Sequence, residues 1–202
     1  MTRGPEFWRA LFGSEAPVEI EIGSGDGAFL AAIAARHPER NFLGIERSPS
    51  KARRLAARIA KLDVANVRIL QADATCLVAS LVPSESVAAY HVYFPDPWPK
   101  RGHAGRRIFN ATFVAALSRT LTTSGRLFFA TDVVGYALAS RERILGDGGF
   151  VEVTSVDDPP GMETSFARKY RAAGRPLYAH TFARVGMSGE NQVFAASKMR
   201  SI

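Results

Sequence analysis

Residues 18–37 read V-E-I-E-I-G-S-G-D-G-A-F-L-A-A-I-A-A-R-H, and this stretch determines the predicted fold. Its apolar residues alternate with Glu19 and Glu21, a period-two pattern that is typical of a short strand. Glycines then occupy every second position from Gly23 to Gly27, and an apolar helical run follows. Because a glycine turn at a helix N-terminus presents backbone N–H groups, the stretch predicts a strand, a ligand-binding loop and a helix.

The glycines alone leave the kind of ligand open. Gly23-x-Gly25-x-x-Ala28 also fits the dinucleotide fingerprint, and a tight turn without a ligand is a third reading, although three glycines exceed what a plain turn needs. Glu21 favours another cofactor, because a carboxylate at the strand end repels a pyrophosphate and attracts the cationic amino acid end of S-adenosylmethionine. The loop resembles the E-x-G-x-G-x-G motif of S-adenosylmethionine-dependent methyltransferases.

Two more acids follow predicted strands. Glu46 ends the strand N-F-L-G-I-E about 20 residues beyond the last glycine, the place from which an acid binds ribose hydroxyls in nucleotide-binding folds. Asp73 lies just past the next strand, within reach of an adenine amino group. Since ligands of open α/β sheets bind at the carboxyl ends of the strands, Glu21, Glu46 and Asp73 together predict one cofactor site.

Strands alternate with helical runs along the chain, which predicts a mostly parallel twisted sheet with helices on both faces. We therefore predict an α/β, Rossmann-like methyltransferase fold in a single domain. Its predicted parts are an N-terminal packing helix or arm over residues 1–17, the methyltransferase domain over 18–185 and a flexible tail over 186–202.

Composition narrows the classes of protein. The chain has 202 residues, is 47% hydrophobic and carries a net charge of +7, which favours a polyanionic partner. The single cysteine, Cys76, excludes an internal disulfide and a cysteine-rich zinc site, and we expect it to be buried. No cluster has convincing metal-ligand spacing, so no metal is predicted. No signal peptide or membrane span is apparent either, which predicts a cytoplasmic protein.

The basic residues cluster near the candidate site. Three groups occur in the sequence: 100–107, 168–175 and a helix over 51–61. A single charged run is usually a solvated face, but two runs beside candidate chemistry favour a nucleic-acid substrate.

The segment Y-F-P-D-P-W-P-K over 93–100 leaves the fourth predicted strand at the same edge. Three prolines stiffen it and so hold Asp96 in place. F-P-D-P-W-P-K followed by R-x-H-x-x-R-R resembles the signature of the tRNA (guanine-N7-)-methyltransferase family. Thr164-x-Phe166, Lys169 and Gly174 are similar to that family's C-terminal motif, and the resemblance covers about residues 18–184.

The resemblance implies S-adenosylmethionine as cofactor, tRNA as partner and a methyl transfer to guanine N7. It implies Asp96 as the active-site carboxylate and a set of binding residues: Glu21, Gly23, Gly25, Glu46, Asp73 and Asp96 for the cofactor; Lys100, Asp132, Thr164, Ser165, Phe166 and Ala167 for the substrate; and Arg101, Arg106, Arg107 and Lys169 for tRNA phosphates.

One position departs from the family, which usually has Glu where this chain has Ala167. The departure keeps a second hypothesis open, a non-catalytic or retargeted RNA-binding member of the same fold. A third hypothesis, an NAD-dependent dehydrogenase, lacks an evident catalytic Tyr/Lys or His/Asp arrangement. The sequence leaves the oligomeric state as monomer or homodimer.

Overall fold

The computed structural model describes residues 4–62, 64–154 and 164–186. They form seven helices, a 310 helix over Arg101–Arg106 and seven strands. The helices are α1 (Gly4–Phe12), α2 (Ala28–Arg36), α3 (Pro49–Ile59), α4 (Ala74–Ser80), α5 (Ala111–Thr120), α6 (Val134–Leu145) and α7 (Ser165–Ala172). The strands are β1 (Val18–Ile22), β2 (Asn41–Glu46), β3 (Val67–Gln71), β4 (Val87–Tyr93), β5 (Leu121–Thr131), β6 (Phe150–Val153) and β7 (Tyr178–Arg184).

All seven strands pair in one sheet of order β3-β2-β1-β4-β5-β7-β6. The first five strands of this order are parallel, and β7 is antiparallel to both of its neighbours. The order in which strands are added to the sheet reverses between β1 and β4, since β2 and β3 lie on one side of β1 and β4 lies on the other. This topology confirms the predicted Rossmann-like fold, and such a reversal is where α/β sheets open a ligand crevice.

Helices cover both faces of the sheet. On one face, Ile20 and Ile22 of β1 pack in a cluster with side chains of α1, α4, α5 and α6. On the other face, Phe42 of β2 packs against Leu30 of α2 and Leu55 of α3. Because successive strand residues point to opposite faces, Glu19 and Glu21 lie on the α2 side, which is covered as well, and both are buried.

Some features differ from the sequence prediction. Helices α4 and α7 were not predicted, and Cys76 is exposed on α4, so the prediction that it is buried was wrong. Its position on a short surface helix explains this. Nearly all of the predicted tail, 187–202, lies outside the described residues. Within the described ranges no helix is both long and apolar enough to cross a membrane.

Candidate active site

The loop between β1 and α2 has the backbone geometry that its glycines require. Gly23, Gly25 and Gly27 have φ values of 76°, 56° and 74°, a region that favours glycine. At Gly27 a Cβ atom would also lie 2.2 Å from Cδ1 of Leu55, so a larger residue would require this side chain of α3 to shift. The loop therefore lies close to α3 at Gly27 and leaves open space beside Gly23.

A cavity of about 370 Å³ opens above this loop. Several predicted site residues line it: Glu21, Gly23, Gly25, Glu46, Asp73, Asp96, Arg106, Arg107, Thr164, Ser165 and Phe166. The structure thus brings together residues from 21 to 166 of the chain. No group of three or more His, Cys, Asp or Glu side chains in the described ranges is arranged to hold a metal ion.

Glu21 is the most perturbed acid of the cavity. Its side chain is buried, and Oε2 has no hydrogen-bond partner within the described part of the chain. Burial, with smaller contributions from Asp26 and Glu46, raises the pKa of Glu21 to about 8. A buried carboxyl group without a partner is costly, so this position fits a cationic group of a ligand.

Glu46 and Asp73 are held by backbone N–H groups. Oε2 of Glu46 accepts a hydrogen bond from Gly25 N at 3.0 Å, and Oε1 accepts one from Ser48 N at 2.8 Å. Glu46 therefore fixes the glycine loop to the end of β2. Asp73 caps α4 through Oδ1, which accepts from Thr75 N at 2.9 Å, and this side chain's hydrogen bonds, chiefly with Thr75, lower the pKa of Asp73.

Thr164, Ser165 and Phe166 reach the cavity as the start of α7. Thr164 caps the helix by accepting a hydrogen bond from Ala167 N at 2.9 Å. Ser165 Oγ donates to Asp26 Oδ2 at 2.9 Å, which ties α7 to the glycine loop. Asp26, which sequence reasoning did not select, thus connects the glycine loop with the predicted substrate segment.

The segment 94–100 forms another wall of the cavity, and Asp96 is exposed on it. Arg107 donates from Nε to Pro97 O at 3.0 Å and from Nη2 to Trp98 O at 3.4 Å. Its guanidinium lies 5.4 Å from the Tyr136 ring centroid. Arg107 is therefore directed at segment 94–100 through two of its nitrogens, and its contact with tRNA phosphates stays a prediction.

Other predicted residues lie outside the cavity lining. Asp132 forms an ion pair with Arg175, and its side chain is only 11% exposed. Ala167 is fully buried. Lys100 and Lys169 are exposed, whereas the side chain of Arg101 lies outside the described part of the chain.

A buried polar network behind the cavity was also missed by sequence reasoning. Glu19 Oε2 lies 2.7 Å from His91 Nε2, and His91 Nδ1 lies 2.8 Å from the Tyr93 hydroxyl, which lines the cavity wall. Burial by itself raises the pKa of Glu19, but His91 and Arg40 outweigh it and lower that pKa. The sequence did contain a signal for this network. Glu19 lies within a strand of a sheet that helices cover on both faces, and a buried acid needs a partner.

Comparison with known proteins adds independent findings. A family model described as "Putative methyltransferase" matches residues 15–179. Three similar proteins are all named tRNA (guanine-N(7)-)-methyltransferase. The one from Thermotoga maritima is 34% identical over 94% of this chain and 63% of its own length. Those from Geobacter metallireducens and Listeria monocytogenes are 32% and 34% identical, over 86% and 85% of this chain and 85% and 82% of their own lengths.

Solved structures are similar in fold. The 16S rRNA (adenine(1408)-N(1))-methyltransferase from Catenulisporales acidiphilia, in a structure with the cosubstrate SAM, aligns with a TM-score of 0.64 at 14% identity over 94% of this chain and 95% of its own. The antibiotic-resistance methyltransferase Kmr aligns with a TM-score of 0.61 at 20% identity over 93% and 95%. At these identities the similarity establishes the Rossmann-like methyltransferase fold and no more.

Proposed function

The chain belongs to the tRNA (guanine-N7-)-methyltransferase family, and on this premise we propose that it transfers the methyl group of S-adenosylmethionine to N7 of a guanine in tRNA. The observation that carries the proposal is the convergence of Glu21, Glu46, Asp73 and Asp96 on one cavity with the start of α7. The chain spans 63% of the length of the Thermotoga maritima relative.

The cofactor end of the cavity is assigned by charge. We propose that Glu21 receives the cationic amino acid end of S-adenosylmethionine, because its buried Oε2 has no partner in the described residues. Glu46, at the end of β2, is assigned to the ribose hydroxyls and Asp73 to the adenine amino group. Gly23 and Gly25 allow close approach of the backbone.

The chemical step needs alignment more than proton transfer. S-adenosylmethionine supplies an electrophilic methyl group, and guanine N7 carries a lone pair, so no side chain has to remove a proton. Holding the reacting atoms in line supplies about 7–11 kcal/mol of barrier reduction in well-oriented systems. Asp96 is proposed as the carboxylate that stabilises the positive charge developing on the purine.

The substrate is proposed to enter between segment 94–100 and α7. Phe166, which is 47% exposed and lies 6.1 Å from the Phe94 ring, offers a surface for base stacking. Lys100, Arg101, Arg106 and Lys169 are proposed to hold phosphates, contacts that position the tRNA without specifying its sequence.

We further propose that residues 18–185 form the methyltransferase domain and that the protein is a monomer or homodimer. We also propose a cytoplasmic location, where tRNA is present.

One experiment tests the function. Wild-type protein is incubated with methyl-labelled S-adenosylmethionine and bulk tRNA, and the tRNA is digested to nucleosides. The expected product is labelled 7-methylguanosine, with Asp96→Asn as the matched control. Cofactor binding without a labelled nucleoside would favour the RNA-binding alternative, whereas binding of NAD in place of S-adenosylmethionine would favour a dehydrogenase.

A further inference from the structure

Two adjacent arginines of the R-R pair have opposite environments. Arg106 is exposed, and its guanidinium lies 5.0 Å from the Trp98 ring centroid. Arg107 is half-buried, and two of its nitrogens donate to the carbonyl groups of Pro97 and Trp98. We propose that Arg107 is a positioning residue that clamps the segment 94–100 and thereby fixes Asp96, a role that rests on the proposed function and requires no contact with tRNA.

The prolines of segment 94–100 stiffen its backbone but leave it few hydrogen bonds of its own. Pro95, Pro97 and Pro99 have no backbone N–H to donate. Phe94 and Trp98 have φ values of 50° and 43°, a left-handed conformation that non-glycine residues seldom adopt without support from their surroundings. Phe94 N donates a hydrogen bond to Ala130 O at 2.8 Å, which supports the backbone at Phe94. Arg107 bonds the carbonyl group of the second, Trp98, and that of its neighbour Pro97.

Arg107 is itself attached to the core. Phe109, two residues later, is buried, and its ring lies 5.1 Å from that of Phe129 in β5. The guanidinium of Arg107 lies over Tyr136 of α6, whose pKa burial raises to about 12, so the ring stays neutral and offers its face to the cation. The clamp therefore connects the loop to β5 and α6.

The clamp acts next to the reacting group. Asp96 is the direct neighbour of Pro97, whose carbonyl Arg107 holds. Asp96 and Arg107 both lie within electrostatic range of Tyr136. A displacement of about 1 Å at a positioning residue can cost about 10²-fold in rate, so releasing Pro97 and Trp98 is expected to affect catalysis more than binding.

Lysine is the discriminating substitution. It keeps the positive charge, which is what a phosphate contact needs, but its single ammonium cannot reproduce the planar two-nitrogen geometry or the stacking on Tyr136. We therefore expect Arg107→Lys and Arg107→Gln to lose about 10²-fold in kcat at saturating tRNA. We expect both to keep the wild-type slope of log Kd for tRNA against log salt.

Arg106→Gln is the matched control. It is expected to act mainly on the KM for tRNA and to reduce the salt slope by about 1, the effect of one phosphate contact. Nuclear relaxation of ¹⁵N gives a readout independent of turnover: Arg107→Lys should lower the order parameters of the amides of Asp96, Trp98 and Lys100. Arg106→Gln should lower them less, because Arg106 contacts the segment through the Trp98 ring and not through its backbone.

The inference is overturned if Arg107→Lys keeps wild-type kcat while Arg107→Gln weakens tRNA binding and lowers the salt slope, because this is the pattern of a phosphate contact. Unchanged order parameters over 94–100 in Arg107→Lys would also overturn it. If wild-type protein makes no 7-methylguanosine, the proposed function fails, but the relaxation measurement still decides whether Arg107 clamps the loop.

Discussion

Replacing Glu21 by glutamine should stabilise the ligand-free protein while weakening its affinity for S-adenosylmethionine. In the folded chain the carboxyl group is buried, Oε2 lacks a partner in the described residues, and burial raises its pKa to about 8. Glutamine keeps the size and part of the hydrogen bonding but carries no charge at any pH. The substitution therefore separates the stability of the fold from the binding of a cationic ligand.

The size and sign of the effect on stability follow from the linkage between proton binding and folding. Between the ordinary pKa of 4.5 and the folded value near 8, the folded state binds more protons than the unfolded state, so the free energy of unfolding falls as pH rises. The raised pKa lowers the free energy of unfolding by at most about 5 kcal/mol above pH 8 and leaves it unchanged below pH 4.5. Glu21→Gln should remove this slope, and its midpoint of denaturation should exceed that of the wild type at pH 8–9.

Glu19→Gln is the matched control, because Glu19 lies on the same strand and face but has its pKa lowered by His91 and Arg40, whose effects exceed that of burial. A carboxyl group with a lower pKa in the folded state stabilises the fold at pH values above its unfolded-state pKa, and this stabilisation is lost on acidification. Glu19→Gln should therefore destabilise the protein at pH 8. The assay is urea denaturation of both variants and the wild type from pH 5 to pH 9.

Cofactor binding gives the second half of the test. If Glu21 pairs with the cationic end, binding must expel its proton, so calorimetry at pH 7 in buffers of different ionisation enthalpy should detect release of about 0.9 proton. Glu21→Gln should release none and bind about 10- to 100-fold more weakly. Binding without proton release by the wild type, or an unaltered pH slope in Glu21→Gln, would refute the reasoning.

Three further outcomes are expected. Asp96→Asn should lower single-turnover methylation by about 10²–10³ with cofactor and tRNA still bound; near wild-type turnover would remove Asp96 from the chemistry. Glu46→Ala should weaken S-adenosylmethionine by about 1.5–3 kcal/mol in a calorimetric titration, since it loses the ribose acceptor and the bond to Gly25; an unchanged Kd would contradict the ribose assignment. Ala167→Glu should destabilise the fold by about 2 kcal/mol or more in urea, because Ala167 is fully buried; an unaltered midpoint with increased methylation would show instead that the carboxylate reaches the site.

The sequence was sufficient to predict which acids lie together at the cavity. Glu21, Glu46 and Asp73 each end or follow a strand, and the carboxyl ends of parallel strands meet at one edge, so their convergence followed from order along the chain. The glycine loop was equally local, because positive φ is a property of single residues. The structure places all three acids on one cavity with the loop.

Local sequence patterns did not identify the partners of side chains whose environment is formed by distant segments. Glu19 and Glu21 alternate with apolar residues in β1, yet all five residues of β1 are buried. The reason is that α2 and α3 cover the second face of the sheet, so Glu19 needs partners such as His91, 72 positions away. No local pattern identifies that pair.

Sequence by itself thus determined the parallel sheet, the glycine loop and the strand-end acids, because these depend on backbone preferences and on strand order. Tertiary structure decided how charged side chains are used: Arg106 faces outward while its neighbour Arg107 holds Pro97, and Asp132 pairs with Arg175. The physical reason is that a charged side chain takes its role from the partners and the burial that packing gives it, and packing joins segments far apart in the chain.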